Sequence, residues 1–196
     1  MSPAYRYYAA APLLKPSIAE ARKLLAEAGY PNGLDVTLVA SDTPGTRAQL
    51  AVAIREMAKL AGFRITVQTM PHATYLDQVW KKGSFYVGFY NMQATADAIF
   101  ALLFTSDAAW NETRWNDKAF DEVVYKARAE TDDAKRRPLY AQAQKMMREG
   151  VPAMIPVFFD LLAASRTYLQ GYVLHPRASI YRLDRAWLGD GAPKRG

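Results

Sequence analysis

From Ser17 to Tyr90 the apolar residues keep changing period, from helical spacing to a short strand-like run and back again. A chain that alternates in this way is expected to wind right-handed crossovers onto a mainly parallel sheet, because parallel neighbours cannot be joined by a tight hairpin. Ser17 precedes an apolar helix face made of Ile18, Ala21, Leu24, Leu25 and Ala28, and Glu20 completes a capping box. Gly29 stops that helix and Pro31-Asn32-Gly33 turns the chain into a strand from Leu34 to Ala40. Thr43 is expected to cap, and Pro44 to open, a helix running to about Ala61 with Leu50, Ala53, Ile54, Met57 and Leu60 inward. Gly62 closes it. A second strand is predicted over Phe63–Met70, a short helix from Pro71 to Trp80, and a third, buried strand over Phe85–Tyr90.

That third strand leads into the stretch around which the chain is organised, FYVGFYNMQATAD from Phe85 to Asp97. In open α/β sheets ligands sit beyond the carboxyl ends of the strands. Tyr90, Asn91, Met92, Gln93, Thr95 and Asp97 therefore form a candidate binding wall, although the same letters also describe a plain strand and turn. Next come a short helix over Ala98–Phe104 and a loop over Thr105–Thr113. Asn116 is expected to cap a helix from Asp117 to about Glu130, with Phe120, Val123, Val124 and Ala127 inward. Thr131 or Asp132 caps another to about Glu149, with Pro138 in its second turn. Met154–Leu162 reads as a strand pair or one bent strand at an edge, since Pro152 and Pro156 punctuate it, and Ala163–Leu169 as a further strand. Trp187 and Leu188 are apolar and need a partner surface. Residues 1–16, with three prolines, read as extended chain.

Composition narrows the chemistry. With 51% hydrophobic and 22% charged residues the chain suits a packed core, and no apolar run approaches the roughly 20 residues that span a bilayer. The absence of cysteine excludes disulfides, thiolate metal sites and cysteine nucleophiles. His72 and His175 stand about a hundred residues apart, outside any metal-ligand spacing, and both read as surface or loop residues. Phosphate-loop, dinucleotide and nucleophile-elbow patterns are missing, so no catalytic residue, metal or cofactor is expected. The net charge of +6 is scattered; Lys135-Arg136-Arg137 reads as a solvated helix face and Lys194-Arg195 as a frayed end, and nucleic acid is not an expected partner. The aromatic complement is large, with four Trp, twelve Tyr and eight Phe. Trp80, Phe120 and Phe158 are assigned to the core, whereas rings near loops suit a ligand cleft.

Several stretches together resemble the C-terminal part of the periplasmic solute-binding proteins of ABC importers, extracellular family 5. They are AEARKLLAEAGYPNG at Ala19–Gly33, the helix and strand of Leu50–Val67, AWNETRWND at Ala109–Asp117, the long Phe120–Met147 segment, and VPAMIPVFF at Val151–Phe159. The resemblance implies an α/β fold with a mainly parallel mixed sheet flanked by helices, a type II periplasmic-binding-protein lobe. Residues 1–196 would form one domain, the C-terminal lobe, with 1–16 and roughly 170–196 crossing to a missing N-terminal lobe. It implies a non-enzymatic, periplasmic receptor that encloses a peptide or other small polar ligand between lobes and delivers it to an ABC permease. The signal peptide, not seen here, would belong with the missing lobe. In many members the loop after the third strand reads roughly Trp-x-x-Asp, and its acid holds a peptide's ammonium group. Here those positions are Met92 and Thr95, and the nearest acid is Asp97, which either takes over that role or caps the following helix. The rival readings are an α/β hydrolase and an anion-binding interaction domain.

Overall fold

In the computed structural model, which describes residues 1–12, 14–175 and 182–193, two parallel strands carry the first part of the chain. β1 (Leu34–Ser41) pairs with β2 (Phe63–Met70), from Leu34 opposite Phe63 to Ser41 opposite Met70. The chain divides into two compact units, Ala11–Tyr90 and Met1–Ala10 with Asn91–Gly196. The Lys194-Arg195 tail lies outside the described residues.

In the Ala11–Tyr90 unit, α1 (Ile18–Glu27) begins where the Ser17 side chain accepts the Glu20 amide at 3.2 Å. It ends where Gly29, at φ 93°, donates to the Ala26 carbonyl and Tyr30 to that of Leu25, at 2.9 and 3.0 Å. Of its predicted apolar face only Leu25 is buried; Ile18 and Leu24 are about half exposed. The reason is position: Leu25 lies over Gly62 and Arg22 donates to the Leu60 carbonyl, so a single side chain reaches the core.

The next helix, α2 (Thr46–Lys59), starts later than expected, with Gly45 in the cap position. Thr43 does not cap it because the Ser41 hydroxyl engages Thr43's own backbone, at 2.8 Å to the carbonyl and 3.2 Å to the amide. The buried face of α2 is also rotated. Ala51 is buried, with Leu50, Ile54 and Ala58 packed against Leu38, Ala40, Ile65 and Val87. Small Ala51 and Ala58 let the helix approach the sheet, while Met57, Leu60 and Ala53 face outward. A short helix, α3 (His72–Gln78), then leads to the predicted third strand, which shrinks to one parallel bridge between Val39 and Tyr86. Two bonds hold it, Val39 N–H to the Phe85 carbonyl and Val87 N–H to the Val39 carbonyl. The ladder stops there because the buried Tyr75 hydroxyl takes the Val87 carbonyl at 3.0 Å, and Gly88 and Phe89 are exposed.

The second unit is built from α4 (Ala96–Leu103), α5 (Lys118–Ala129) and α6 (Asp133–Gly150), with α5 packed against both others. Phe120, Val124 and Ala127 are fully buried as predicted. Asp117, not Asn116, caps α5: its carboxylate accepts the Phe120 amide at 3.0 Å, while Asn116 accepts from the Ser106 hydroxyl. Asp132 caps α6, which continues through Pro138. The expected strand over Met154–Leu162 is absent among the described residues. Pro152 and Pro156 remove two backbone donors, and the run stays exposed, Phe158 included, at 53% against its core assignment. The Ala163–Leu169 strand reduces to β3 (Leu169–Gln170), antiparallel to β4 (Trp187–Leu188).

Gly33 joins sequence to sheet most sharply. At φ 92° it lets Leu34 donate to the Gly62 carbonyl, and a Cβ there would lie 2.4 Å from that oxygen. Gly33→Ala should cost about 2 kcal/mol in urea unfolding; a loss below about 0.5 kcal/mol would show that the two turns can separate freely.

Candidate functional site

Thr95 fixes the loop that follows Tyr90. Its hydroxyl accepts the Ala98 amide at 3.1 Å and so starts α4 two residues before the sequence suggests. Asp97 therefore lies inside the first turn and is not a cap. Its carboxylate accepts from Arg128 Nε at 2.9 Å, closing an ion pair between the start of α4 and the end of α5. Gln93 donates its amide to the Tyr5 hydroxyl at 2.9 Å and its side chain to the Asn91 carbonyl at 3.3 Å. Met92 is half-buried and Asn91 exposed. Tyr90 closes the other unit, its hydroxyl accepting from Trp80 Nε1 at 3.0 Å. Thus Asn91–Asp97 share a unit with Tyr5, Arg128 and Tyr140, and Tyr90 stands in the preceding one. Two open depressions of about 290 Å³ occur in the Ala11–Tyr90 unit, one beside Asp35, Lys59 and Arg64, the other beside Arg22, Tyr30 and Gly33. Neither is lined by a residue of the predicted wall.

Tyr5 and Arg128 were invisible to local sequence reading. A partner 88 residues away carries no periodic signal, and an arginine near a helix end has a sufficient local role at the negative pole. Arg128 also lies over the Tyr125 ring at 5.4 Å, and the Asp97 bond holds its guanidinium even further above neutral pH.

The same unit holds an aromatic stack. Tyr140 lies between Tyr7, at 4.9 Å, and Phe100, at 6.2 Å, and Phe100 meets Phe120 edge-on. Burial, reinforced by the Asp97 charge, pushes the Tyr140 phenol up to about 12. The Tyr7 hydroxyl donates to Asp133 at 2.7 Å and, with the nearby arginines, holds that carboxyl below its ordinary range. Gln144 clamps the same amino-terminal segment, donating to the Tyr7 carbonyl and accepting from the Ala9 amide.

A second cluster, also missed, lies beyond the carboxyl ends of β1 and β2. Ser41 Oγ is 3.0 Å from His72 Nδ1, with Arg47 at 3.5 Å from the same nitrogen. The pair superficially resembles a nucleophile and base. Ser41 is fully buried, however, and its single proton is shared with the Thr43 carbonyl, so the arrangement ties a turn together and offers no accessible nucleophile. Among the described residues no group of three potential metal ligands occurs, and no helix is long and apolar enough to cross a membrane.

A model of the bacterial extracellular solute-binding proteins, family 5 (middle region), matches residues 1–113. The chain belongs to this family. Family 5 proteins are solute-binding proteins, not enzymes. The chain is 30% identical over 168 residues to a dipeptide-binding protein of Escherichia coli K12, covering 80% of this chain and 31% of that one. It is 29% identical over 170 residues to a probable deoxycholate-binding periplasmic protein of the same organism, covering 84% and 31%. The chain thus spans about a third of the length of these relatives. Among solved structures it is similar to the ABC transporter-associated periplasmic binding protein DppA of Helicobacter pylori in complex with the peptide STSA, with a TM-score of 0.70 and 21% identity over 96% of this chain and 38% of that one. The fold is the α/β one of type II periplasmic binding proteins.

Two measurements test these local assignments. Ser41→Ala removes a buried hydroxyl from three partners and should cost about 1–3 kcal/mol in urea unfolding; no loss would make the Ser41–His72 contact incidental. Tyr140 loses its proton near 10 when unfolded and at about 12 in the fold. Between those values the unfolded chain binds fewer protons, so stability is complete below about 10 and falls as pH rises towards about 12. Tyr140→Phe should flatten that fall in midpoints measured against pH.

Proposed function

We infer that this family 5 chain is one lobe of the substrate-binding component of an ABC importer. That receptor would hold a peptide or a polar solute of similar size between this lobe and an N-terminal one, in the periplasm, and hand it to a membrane permease. The observation that carries the reading is the family match over residues 1–113. The two relatives are named for ligands as different as a dipeptide and deoxycholate, which supports a solute-binding role shared across ligand classes. Tyr90, Asn91, Met92, Gln93, Thr95 and Asp97 form the wall on this lobe. Met92 contributes an adaptable apolar contact, and Asn91, exposed and polar, a hydrogen-bonding amide. Residues 1–16 and roughly 170–196 are the crossings to the other lobe. That lobe would also cover the exposed apolar residues Met154–Leu162, together with Trp187 and Leu188.

An immunoblot of fractionated source cells tests the assignment. The expected result is a periplasmic band well above 21.9 kDa; a cytosolic band would overturn the transport reading. In the receptor as those cells make it, Asn91→Ala should weaken binding of its peptide about five- to tenfold by calorimetry, the effect of one lost hydrogen bond. Unchanged affinity in both Asn91→Ala and Met92→Ala would remove the loop from the site.

A further inference from the structure

Asp97 is the single carboxylate between Asn91 and Asp97, and the fold has already engaged it. It lies in the first turn of α4, where the helix pole favours an anion, and Arg128 lies in the last turn of α5, where the pole favours a cation. The two meet at 2.9 Å through Arg128 Nε, with side chains 28% and 47% exposed. The Tyr125 ring under the guanidinium holds it there. The acid is consequently neutralised from one side by a cation whose own position three local forces favour.

A ligand cation brought against this loop would lose its water and meet a carboxylate already paired. An amide or hydroxyl would meet the Asn91 side chain and a half-buried methionine at no such cost. We propose that Arg128 is a specificity-determining residue, which by holding Asp97 makes the Asn91–Asp97 loop select an uncharged polar ligand end over an ammonium end. This rests on the reading that the loop faces the ligand. Arg128 itself acts through Asp97 and is a positioning residue.

The test compares trialanine with N-acetyl-trialanine on the receptor as the source cell makes it, by calorimetry at neutral pH. The unaltered protein should bind the acetylated peptide at least as tightly as the free one. A tenfold preference for the free amine would overturn the inference without any variant. Arg128→Gln should release Asp97 and shift the ratio of affinities about tenfold towards the free amine. The double variant Arg128→Gln, Asp97→Asn keeps both shapes without either charge and should return the ratio to that of the unaltered protein. An unshifted ratio in Arg128→Gln with a native unfolding midpoint overturns the role of Arg128. If Asn91→Ala still weakens binding in that case, the loop remains in the site and only this inference fails. If no form of the protein binds either peptide, the peptide reading and this inference fall together.

Discussion

The eight-residue parallel pairing of β1 with β2 is the constraint on which the first unit depends. Parallel strands leave the sheet at one end together, so Ser41, Met70 and the Tyr86 bridge are delivered to a common edge. The pairing in turn needs a close backbone approach at its other end, where Gly33 and Gly62 stand with positive φ and the Gly62 carbonyl accepts from Leu34. Burial follows the same direction. Leu38, Ala40 and Ser41 are almost wholly buried while Asp35 is exposed and its carboxylate is held below its ordinary range by Arg64. The core thus lies towards the carboxyl end, where α2 lays Ala51 against the sheet.

In the second unit an aromatic stack takes the part that the sheet plays in the first. Tyr140 is stacked on both sides, and the partner on one side, Tyr7, comes from the amino-terminal segment. Burying a ring of this size is worth about 2–3 kcal/mol, and it also desolvates the phenol, which explains why Tyr140 resists ionisation. Gln144, one helical turn further along α6, satisfies two backbone groups of the same segment. The stack and the Asp97–Arg128 pair both hold α4: Phe100 packs it against Phe120 and Tyr140, and Arg128 pairs with its first turn. The loop from Asn91 to Thr95 is therefore attached at its end to a helix packed and paired within its unit.

What was legible in the sequence was local and periodic. The Ser17 and Asp132 caps, the Gly29 stop, both strands of the parallel pair and the Phe120–Val124–Ala127 stripe all follow from a few neighbouring residues. The failures arise where another group, two residues away in one case and 12 or 31 in others, competes for a local one. Thr43 looks like a cap until Ser41 occupies its backbone. Phe85–Tyr90 looks like a full strand until Tyr75 takes the Val87 carbonyl. Asp97 looks free, or a cap, until Arg128 is brought to it from 31 residues away. The phase of α2 failed for a related reason: Met57 and Leu60 are as apolar as Ile54, and only the sheet decides which of them it touches.

The apolar run from Met154 to Leu162 makes a different argument. Its letters are those of a strand, yet Met154, Ile155, Phe158, Phe159 and Leu162 each expose between 49% and 87% of their surface. Leaving such side chains in water forgoes about 25 cal/mol for every Å² that could be buried, and Pro152 and Pro156 limit the ladders that could recruit the backbone. A solitary exposed leucine needs no explanation, but contiguous ones mark a surface meant for contact. The prolines also remove two donors that water would otherwise satisfy, so the segment loses less than most when a neighbour covers it. Composition and exposure of this run thus point the same way, to a surface that a neighbour covers.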